Sequence, residues 1–219
     1  MTRRIIDITS PMDATLAGWP GDTPYRFNLA WSRASGAGVN VGRIEMSLHT
    51  GTHVDAPFHF DDSGTTVDQL DLSPFLGPSR VVDVRGVASI QVGDLAGFDF
   101  SRSPRVLFRT DGWVDRTKFP DSIPVLGNEV PAYLEQQGVV LAGFDLPSVD
   151  AIDSKTLPIH HALASFGIAI LEGLDLTRVE AGEYELIALP LRLAGADGAP
   201  VRAILREWEP STTPSIRSG

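Results

Sequence analysis

Short apolar runs recur along the chain and are separated by glycine, proline and serine, a pattern typical of β-strands. Val, Ile, Leu and Phe dominate these runs, and β-branched and aromatic residues favour extended backbone. The predicted strands lie at residues 81–84, 105–109, 139–145, 184–191 and 201–206. The last of them alternates apolar and polar residues, which predicts a strand with one face in solvent.

Helical signals are fewer than strand signals. Residues 128–138 start with Asn128, carry an early proline at Pro131 and end at Gly138, and these residue types are typical of helix ends. A second helix is predicted at residues 160–167. Many strands with few helices predict an α/β fold, with one mixed, β-rich sheet core and a few flanking helices.

Length and composition predict a single domain. The 219 residues, 42% of them hydrophobic, are enough for one sizeable core and too few for two independent ones. We expect this domain over residues 1–208. Residues 209–219 are polar and carry two prolines, which predicts a disordered C-terminal tail.

Charge and cysteine content narrow the functional classes. The formal net charge of −10 repels phosphate backbones and anionic lipid headgroups, so no nucleic-acid or membrane partner is expected. The chain has no cysteine, which excludes disulfides, thiolate metal sites and a cysteine nucleophile. Neither a signal peptide nor a run of about 18–20 apolar residues is visible, so a cytoplasmic location is expected.

The five histidines of the chain fall in two short segments. They are His49, His53 and His59 in the first, and His160 and His161 in the second. Scattered structural histidines would not cluster in this way. The first three histidines and Asp55 all have odd numbers, so in extended backbone their side chains point to one face. The other face would carry Val54, Ala56 and Phe58, which suit a core.

A straight strand alone would not bring these imidazoles to one ion. His49 and His53 would lie roughly 13 Å apart at about 3.3 Å per residue, whereas metal–nitrogen bonds are about 2.0–2.1 Å long. We therefore predict a bend at Gly51 and an end of regular strand pairing at Pro57. Imidazoles with a carboxylate are typical ligands of zinc, manganese or iron. The alternative is a histidine-rich polar loop held by hydrogen bonds.

The second segment leads to a carboxylate. Glu172 ends the apolar run 166–171, so we expect it to be partly buried. Uncompensated burial of a charge is costly, which predicts a metal or a basic partner nearby; the alternative is a glutamate at the surface end of a strand. Neither a nucleophile elbow nor a phosphate-binding loop is present. Water activated on a metal is then the remaining economical nucleophile.

These motifs are recognisable. Residues 49–60 resemble the signature of the cyclase-like family of metal hydrolases, to which bacterial kynurenine formamidases belong. The blocks that resemble the formamidase branch lie at residues 19–24, 154–156, 170–173, 184–191 and 200–203. The resemblance covers nearly the whole chain up to about Arg206. Phe166 departs from the pattern, since formamidases often carry a histidine there, and this affects the substrate pocket rather than the metal site.

The resemblance implies a binuclear metal site, usually of zinc, with manganese as an alternative. His49, His53 and Asp55 match the ligands of one ion. Asp55, His160 and Glu172 match the ligands of the other, and the two carboxylates are shared between both ions.

The resemblance also implies a reaction. His59 matches the general acid/base and Trp19 matches a substrate-contacting aromatic residue. His160 carries the match rather than His161, because its spacing to Glu172 agrees with the pattern. The implied substrate is N-formyl-L-kynurenine, a compound of tryptophan degradation. A bridging hydroxide attacks its formyl carbonyl, the ions hold the oxyanion, and His59 protonates the departing amine. A homodimer with a barrel-like core is implied as well.

Alternatives remain open at this stage. A related hydrolase, such as one that opens the cyclic amide of isatin, needs the same metals and differs only in its pocket. A metal-binding protein without turnover would have no need of His59. Trp19 has an alternative role as an anchor in the core or in a dimer.

Overall fold

The computed structural model describes residues 4–208, so the predicted tail at 209–219 lies outside the described residues. The strands and helices follow in chain order: β1 (Ile5–Asp7), β2 (Arg26–Trp31), β3 (Val41–Glu45), β4 (His53–Asp55), β5 (Leu76–Asp83), β6 (Ser89–Ile90), α1 (Val92–Leu95), β7 (Arg105–Arg109), β8 (Val125–Leu126), α2 (Val130–Gln136), β9 (Leu141–Phe144), α3 (Pro158–Ser165), β10 (Ala169–Glu172), β11 (Gly182–Ile187), β12 (Gly198–Pro200) and β13 (Ile204–Glu207).

Nine strands form one mixed sheet in the order β1-β13-β11-β5-β7-β9-β10-β4-β12. The four central strands β5, β7, β9 and β10 are parallel, and all other neighbours in the sheet are antiparallel. The sheet is curled, but within residues 4–208 its edge strands β1 and β12 do not pair with each other. The predicted α/β fold with a β-rich mixed sheet is confirmed, and the barrel-like core is an open half-barrel.

Two apolar layers bury the centre of the sheet. Val106 and Phe108 of β7 lie in one layer with residues of α2 and α3. Leu107, between them, lies in the other layer, which β11, β13 and the adjoining loops cover. Central strands that are buried on both faces read as continuous apolar runs, which is why the sequence predicted β7 and β9 closely. Strand β10 covers the end of the apolar run 166–171 together with Glu172, and this segment was not predicted as a strand.

The ends of most predicted elements fall within two residues of the observed ends, except that the strand predicted at 81–84 begins at Leu76 and the strand predicted at 184–191 ends at Ile187. The structure confirms the strand at 105–109, and α2 lies within the predicted 128–138. The predicted helix at 160–167 begins two residues earlier, at Pro158, and ends at Ser165.

The predicted strand at 201–206 is partly wrong. The chain pairs with β4 up to Pro200 and joins the opposite part of the sheet only at Ile204. Between them it crosses the open side of the half-barrel. The Val201 amide donates to the Thr52 carbonyl over 3.0 Å, and the Ile8 amide donates to the Ala203 carbonyl over 3.0 Å. These bonds replace the regular strand ladder, because they join residues next to two different sheet edges.

Strands β2 and β3 form a separate antiparallel hairpin that the sequence analysis did not predict. Each of their residues is exposed in the protomer. In the described part of the chain, no helix is long and apolar enough to cross a membrane. The cytoplasmic location stays a prediction.

A glycine fixes the contact between β10 and the bend that precedes β4. Gly173 has a φ of 65°, and an added Cβ would lie 1.9 Å from the Gly51 carbonyl oxygen. Gly167 has a similar φ of 68° but nothing within 4 Å of an added Cβ. An alanine would carry the same backbone strain at either position, but only at Gly173 would its Cβ also clash with the backbone.

We expect Gly173→Ala to lower the free energy of unfolding by roughly 3 kcal/mol or more, because a backbone clash adds to the strain. Gly167→Ala is the matched control, and it should cost only about 1–2 kcal/mol from left-handed strain. Denaturant unfolding of both variants measures the difference. Equal losses would show that the close approach at Gly173 adds no stability.

Candidate metal centre

The first histidine segment is bent, as predicted. Gly51 has a φ of 70°, and the ring centroids of His49 and His53 are 4.9 Å apart, in place of the separation in a straight strand. The extended pattern proposed for residues 49–59 is wrong outside β4, which has only three residues. A 3-10 turn follows at Pro57–His59, because the proline cannot continue the strand ladder.

Strand pairing brings the two parts of the centre together. In the antiparallel pair of β4 and β10, Glu172 lies opposite His53. Helix α3 adds His160, whose Nε2 lies 3.4 Å from Asp55 Oδ2 and 3.7 Å from Glu172 Oε1. The His53 Nε2 lies 3.3 Å from Asp55 Oδ1. Residues more than a hundred positions apart in the chain thus face one another.

Three groups of side chains could hold a metal ion, and in each group the ligand atoms lie within 4.8 Å of one another. They are His49, His53 and Asp55; Asp55, His160 and Glu172; and His49, His59 and Asp197. The first two, hereafter the ligand groups, share Asp55 and contain the five residues that the sequence analysis singled out as metal ligands. The third lies nearer the surface, since His59 and Asp197 are partly exposed.

The donor atoms fit a metal ion. His53 Nε2 and Asp55 Oδ2 are buried and have no hydrogen-bond partner, although buried polar atoms are nearly always paired. Imidazole nitrogens and carboxylate oxygens are the donor set of a zinc or manganese site. A cation between these atoms would satisfy both.

Buried carboxylates and imidazoles shift one another's pKa values at this centre. Burial alone would lower the pKa of His53 and His160, but the neighbouring carboxylates outweigh it and raise both pKa values to about 10. Burial would likewise raise the pKa of Asp55, but the neighbouring imidazoles of His160, His49 and His53 hold it well below its usual range. Burial and the nearby Asp55 charge raise the pKa of Glu172. The site therefore demands positive charge.

His59 occupies the rim of the centre. Its ring centroid lies 3.9 Å from that of His49 and 6.0 Å from that of His160, and its side chain is 31% exposed. Burial lowers the pKa of His59, so the imidazole is neutral at pH 7 and can accept or donate a proton. His161 points elsewhere and packs against Phe60, with 5.2 Å between ring centroids.

A cavity of about 470 Å³ opens above the histidines. Trp19, predicted as a substrate contact, lines it, and Phe119 and Trp113 extend the same wall. The Trp19 and Phe119 rings meet edge to face, with 5.0 Å between centroids. Because Trp19 is 41% exposed, it is not a core anchor. The described residues that line this cavity do not include Phe166, so the departure noted in the sequence lies away from the wall.

Two carboxylates beside the centre were missed in the sequence analysis. Asp150 accepts a hydrogen bond from His160 Nδ1 over 2.7 Å, and Asp197 accepts one from His49 Nε2 over 2.8 Å. Asp150 lies four residues before the block at 154–156, and Asp197 lies three residues before the block at 200–203, but neither belongs to a block. A lone aspartate carries no signal in a single sequence. The two aromatic residues Trp113 and Phe119 were missed for the same reason.

Comparisons with known proteins agree with this geometry. The family described as "Putative cyclase" matches residues 6–151. The kynurenine formamidase of Geobacillus thermodenitrificans is 49% identical over 202 residues, which cover 92% of this chain and 97% of that protein.

Solved structures show the same fold. A protein from Bacillus stearothermophilus described as a "predicted metal-dependent hydrolase" superposes with a TM-score of 0.80 at 28% identity, covering 95% of this chain and all of that one. Isatin hydrolase A from Labrenzia aggregata superposes with a TM-score of 0.78 at 26% identity, covering 94% of both chains.

Fold, site and relatives together define the class: the chain belongs to the cyclase-like family of metal-dependent hydrolases. It is an enzyme of the hydrolase class. Within that family it groups with the bacterial kynurenine formamidases, as the near-half identity over almost its full length shows.

Proposed function

We propose that this protein hydrolyses N-formyl-L-kynurenine to L-kynurenine and formate, a step of tryptophan degradation. The observation that carries the proposal is the aromatic wall of Trp19, Trp113 and Phe119 directly above the two ligand groups. Such a wall suits an aryl ring, and the ligand groups suit the formyl amide attached to it. The relative that is 49% identical to this chain is named a kynurenine formamidase.

In this proposal the two ligand groups hold two zinc ions, with manganese as an alternative. His49, His53 and Asp55 hold one ion, and Asp55, His160 and Glu172 hold the other. Two bound cations would lower the pKa of a shared water from 15.7 to about 7 and so supply a bridging hydroxide at neutral pH.

The protein's own residues orient the substrate and move the proton. The aromatic wall holds the aryl ring, so that the formyl group points to the floor of the cavity. His59 is neutral at pH 7 and lies at the rim, where it takes up the proton that the water gives up in becoming hydroxide and passes it to the departing nitrogen. The nitrogen then leaves as an uncharged aryl amine, and the formyl carbon leaves as formate.

The direct test is turnover. We expect zinc-loaded protein to convert N-formyl-L-kynurenine to kynurenine, followed by kynurenine absorbance, and we expect chelation to abolish the activity because the ligand groups lose their cations. Isatin is the matched second substrate, since an isatin hydrolase shares the fold. Turnover of isatin alone, with two ions verified as bound, would replace the proposed substrate with a cyclic amide.

His59→Ala separates an enzyme from a protein that only binds metal. We expect kcat to fall about 10²–10⁴-fold, because general acid–base catalysis contributes that much. Metal content, measured by elemental analysis, should stay unchanged since His59 is not among the five residues that hold the two ions in this proposal. His161→Ala is the control, because it removes an exposed neighbouring imidazole that packs against Phe60. Full activity in His59→Ala would contradict the assigned role.

We also propose that two copies associate through the hairpin of β2 and β3. Phe27 lies opposite Ile44 and two residues before Leu29, so these three side chains share one face of the hairpin. They are between 45% and 58% exposed in the protomer. A two-stranded hairpin is marginally stable alone, and a contiguous exposed apolar face marks an interaction site. A second copy offers an equally apolar face.

Leu29→Lys tests this association. We expect the variant to be monomeric at concentrations where the unmodified protein is a dimer, because a charge would be buried in the contact. Asn28→Lys adds the same charge to the opposite face of the hairpin and should remain dimeric. Light scattering after size exclusion measures both masses. A monomeric unmodified protein would exclude the proposed dimer.

A further inference from the structure

Asp197 lies against two histidines of the metal centre. Its Oδ2 accepts the hydrogen bond from His49 Nε2 over 2.8 Å and lies 3.5 Å from His59 Nδ1. The two imidazole rings are themselves in contact, tilted by 32°. One carboxylate oxygen therefore faces both a proposed metal ligand and the proposed proton-transfer residue.

The backbone fixes this carboxylate to the strand that carries the ligands. The Asp197 carbonyl accepts from the Ala56 amide over 2.9 Å, and the next residue, Gly198, pairs with Asp55. An added Cβ at Gly198 would lie 2.8 Å from the Val54 carbonyl oxygen and 3.0 Å from His49 Cε1. The glycine leaves room for the His49 ring, and the ladder sets the position of Asp197 beside it.

Each histidine of the two ligand groups has one nitrogen facing the centre and the other held from outside. The outer partner of His53 Nδ1 is the Gly51 carbonyl at 3.0 Å, and that of His160 Nδ1 is Asp150. For His49, whose Nδ1 lies 2.8 Å from Asp55, the outer partner is Asp197. Such partners set ring orientation, and their loss typically weakens metal binding about 10–100-fold.

Asp197 differs from the other outer partners in touching a second ring. The side chain of Asp150 is 3% exposed and contacts His160 alone among the histidines. The side chain of Asp197 is 39% exposed and contacts both His49 and His59. Asp197 therefore contacts both a proposed metal ligand, His49, and the proposed proton-transfer residue, His59.

We propose that Asp197 is a positioning residue shared by the two tasks: it orients His49 toward a metal ion and His59 toward the departing nitrogen. The proposal rests on the hydrolase function proposed above. It predicts that loss of the Asp197 charge affects metal binding and also affects catalysis when metal is saturating.

The first measurement is zinc affinity by chelator competition, which needs no substrate. We expect Asp197→Asn to weaken one of two zinc sites about 10–100-fold. Asp68→Asn is the matched control, because it removes the same charge without affecting a contact to a histidine. Asp68 accepts a hydrogen bond from the amide of Gly195, which lies in the loop that carries Asp197. Thermal unfolding checks that each variant folds. Unchanged zinc affinity in Asp197→Asn would overturn the proposal.

The second measurement is a double-mutant cycle at saturating zinc. We expect Asp197→Asn to lower kcat about tenfold or more with little change in KM, since it removes support of the transition state and not of substrate binding. In a His59→Ala background it should have no further effect. Asp150→Asn acts on His160 instead, so its effect should add to that of His59→Ala.

The outcomes separate the two hypotheses. An additive loss for Asp197→Asn and His59→Ala would overturn the shared role and leave Asp197 as a partner of His49 alone. If the unmodified protein does not turn over N-formyl-L-kynurenine, the proposed substrate is wrong. The zinc affinities would still decide whether Asp197 supports a metal site.

Discussion

The buried carboxylates of Asp55 and Glu172 set the main constraint on this molecule. Two negative groups side by side between β4 and β10 are tolerated only with compensating positive charge. Three imidazoles surround them, and each imidazole is held at its far nitrogen by a carbonyl or carboxylate. Three parts of the fold position these groups. The pairing of β4 with β10 places Asp55 near Glu172, the bend at Gly51 brings His49 to them, and α3 carries His160.

The centre is buried on one side and open to a cavity on the other. Apolar layers pack against both faces of the central strands, and β10, which carries Glu172, contributes to both layers. Trp19, Trp113 and Phe119 line the cavity above the centre. His59 lines the same cavity and is partly exposed to solvent.

The sequence predicted what depends on local pattern. Buried parallel strands read as apolar runs, and the histidine spacing with Gly51 indicated a bend. What depends on contacts between distant residues could not be predicted. Asp150 and Asp197 carry no local signal, and neither do Trp113 and Phe119. The strand predicted at 201–206 failed because its hydrogen bonds are set by Thr52 and Ile8 rather than by its own alternation.

The crossing at residues 201–203 has a consequence for the order of assembly. Its hydrogen bonds join Thr52, which precedes β4, to Ile8, which follows β1. Strand β13 then pairs with β1. Contacts between such distant parts of the sequence give the fold a high contact order, which slows folding because long loops must close first. On the ribosome, β4 must wait for both β10 and β12 to emerge before it is paired on each side. The candidate metal centre is therefore among the last features of a newly made chain to form.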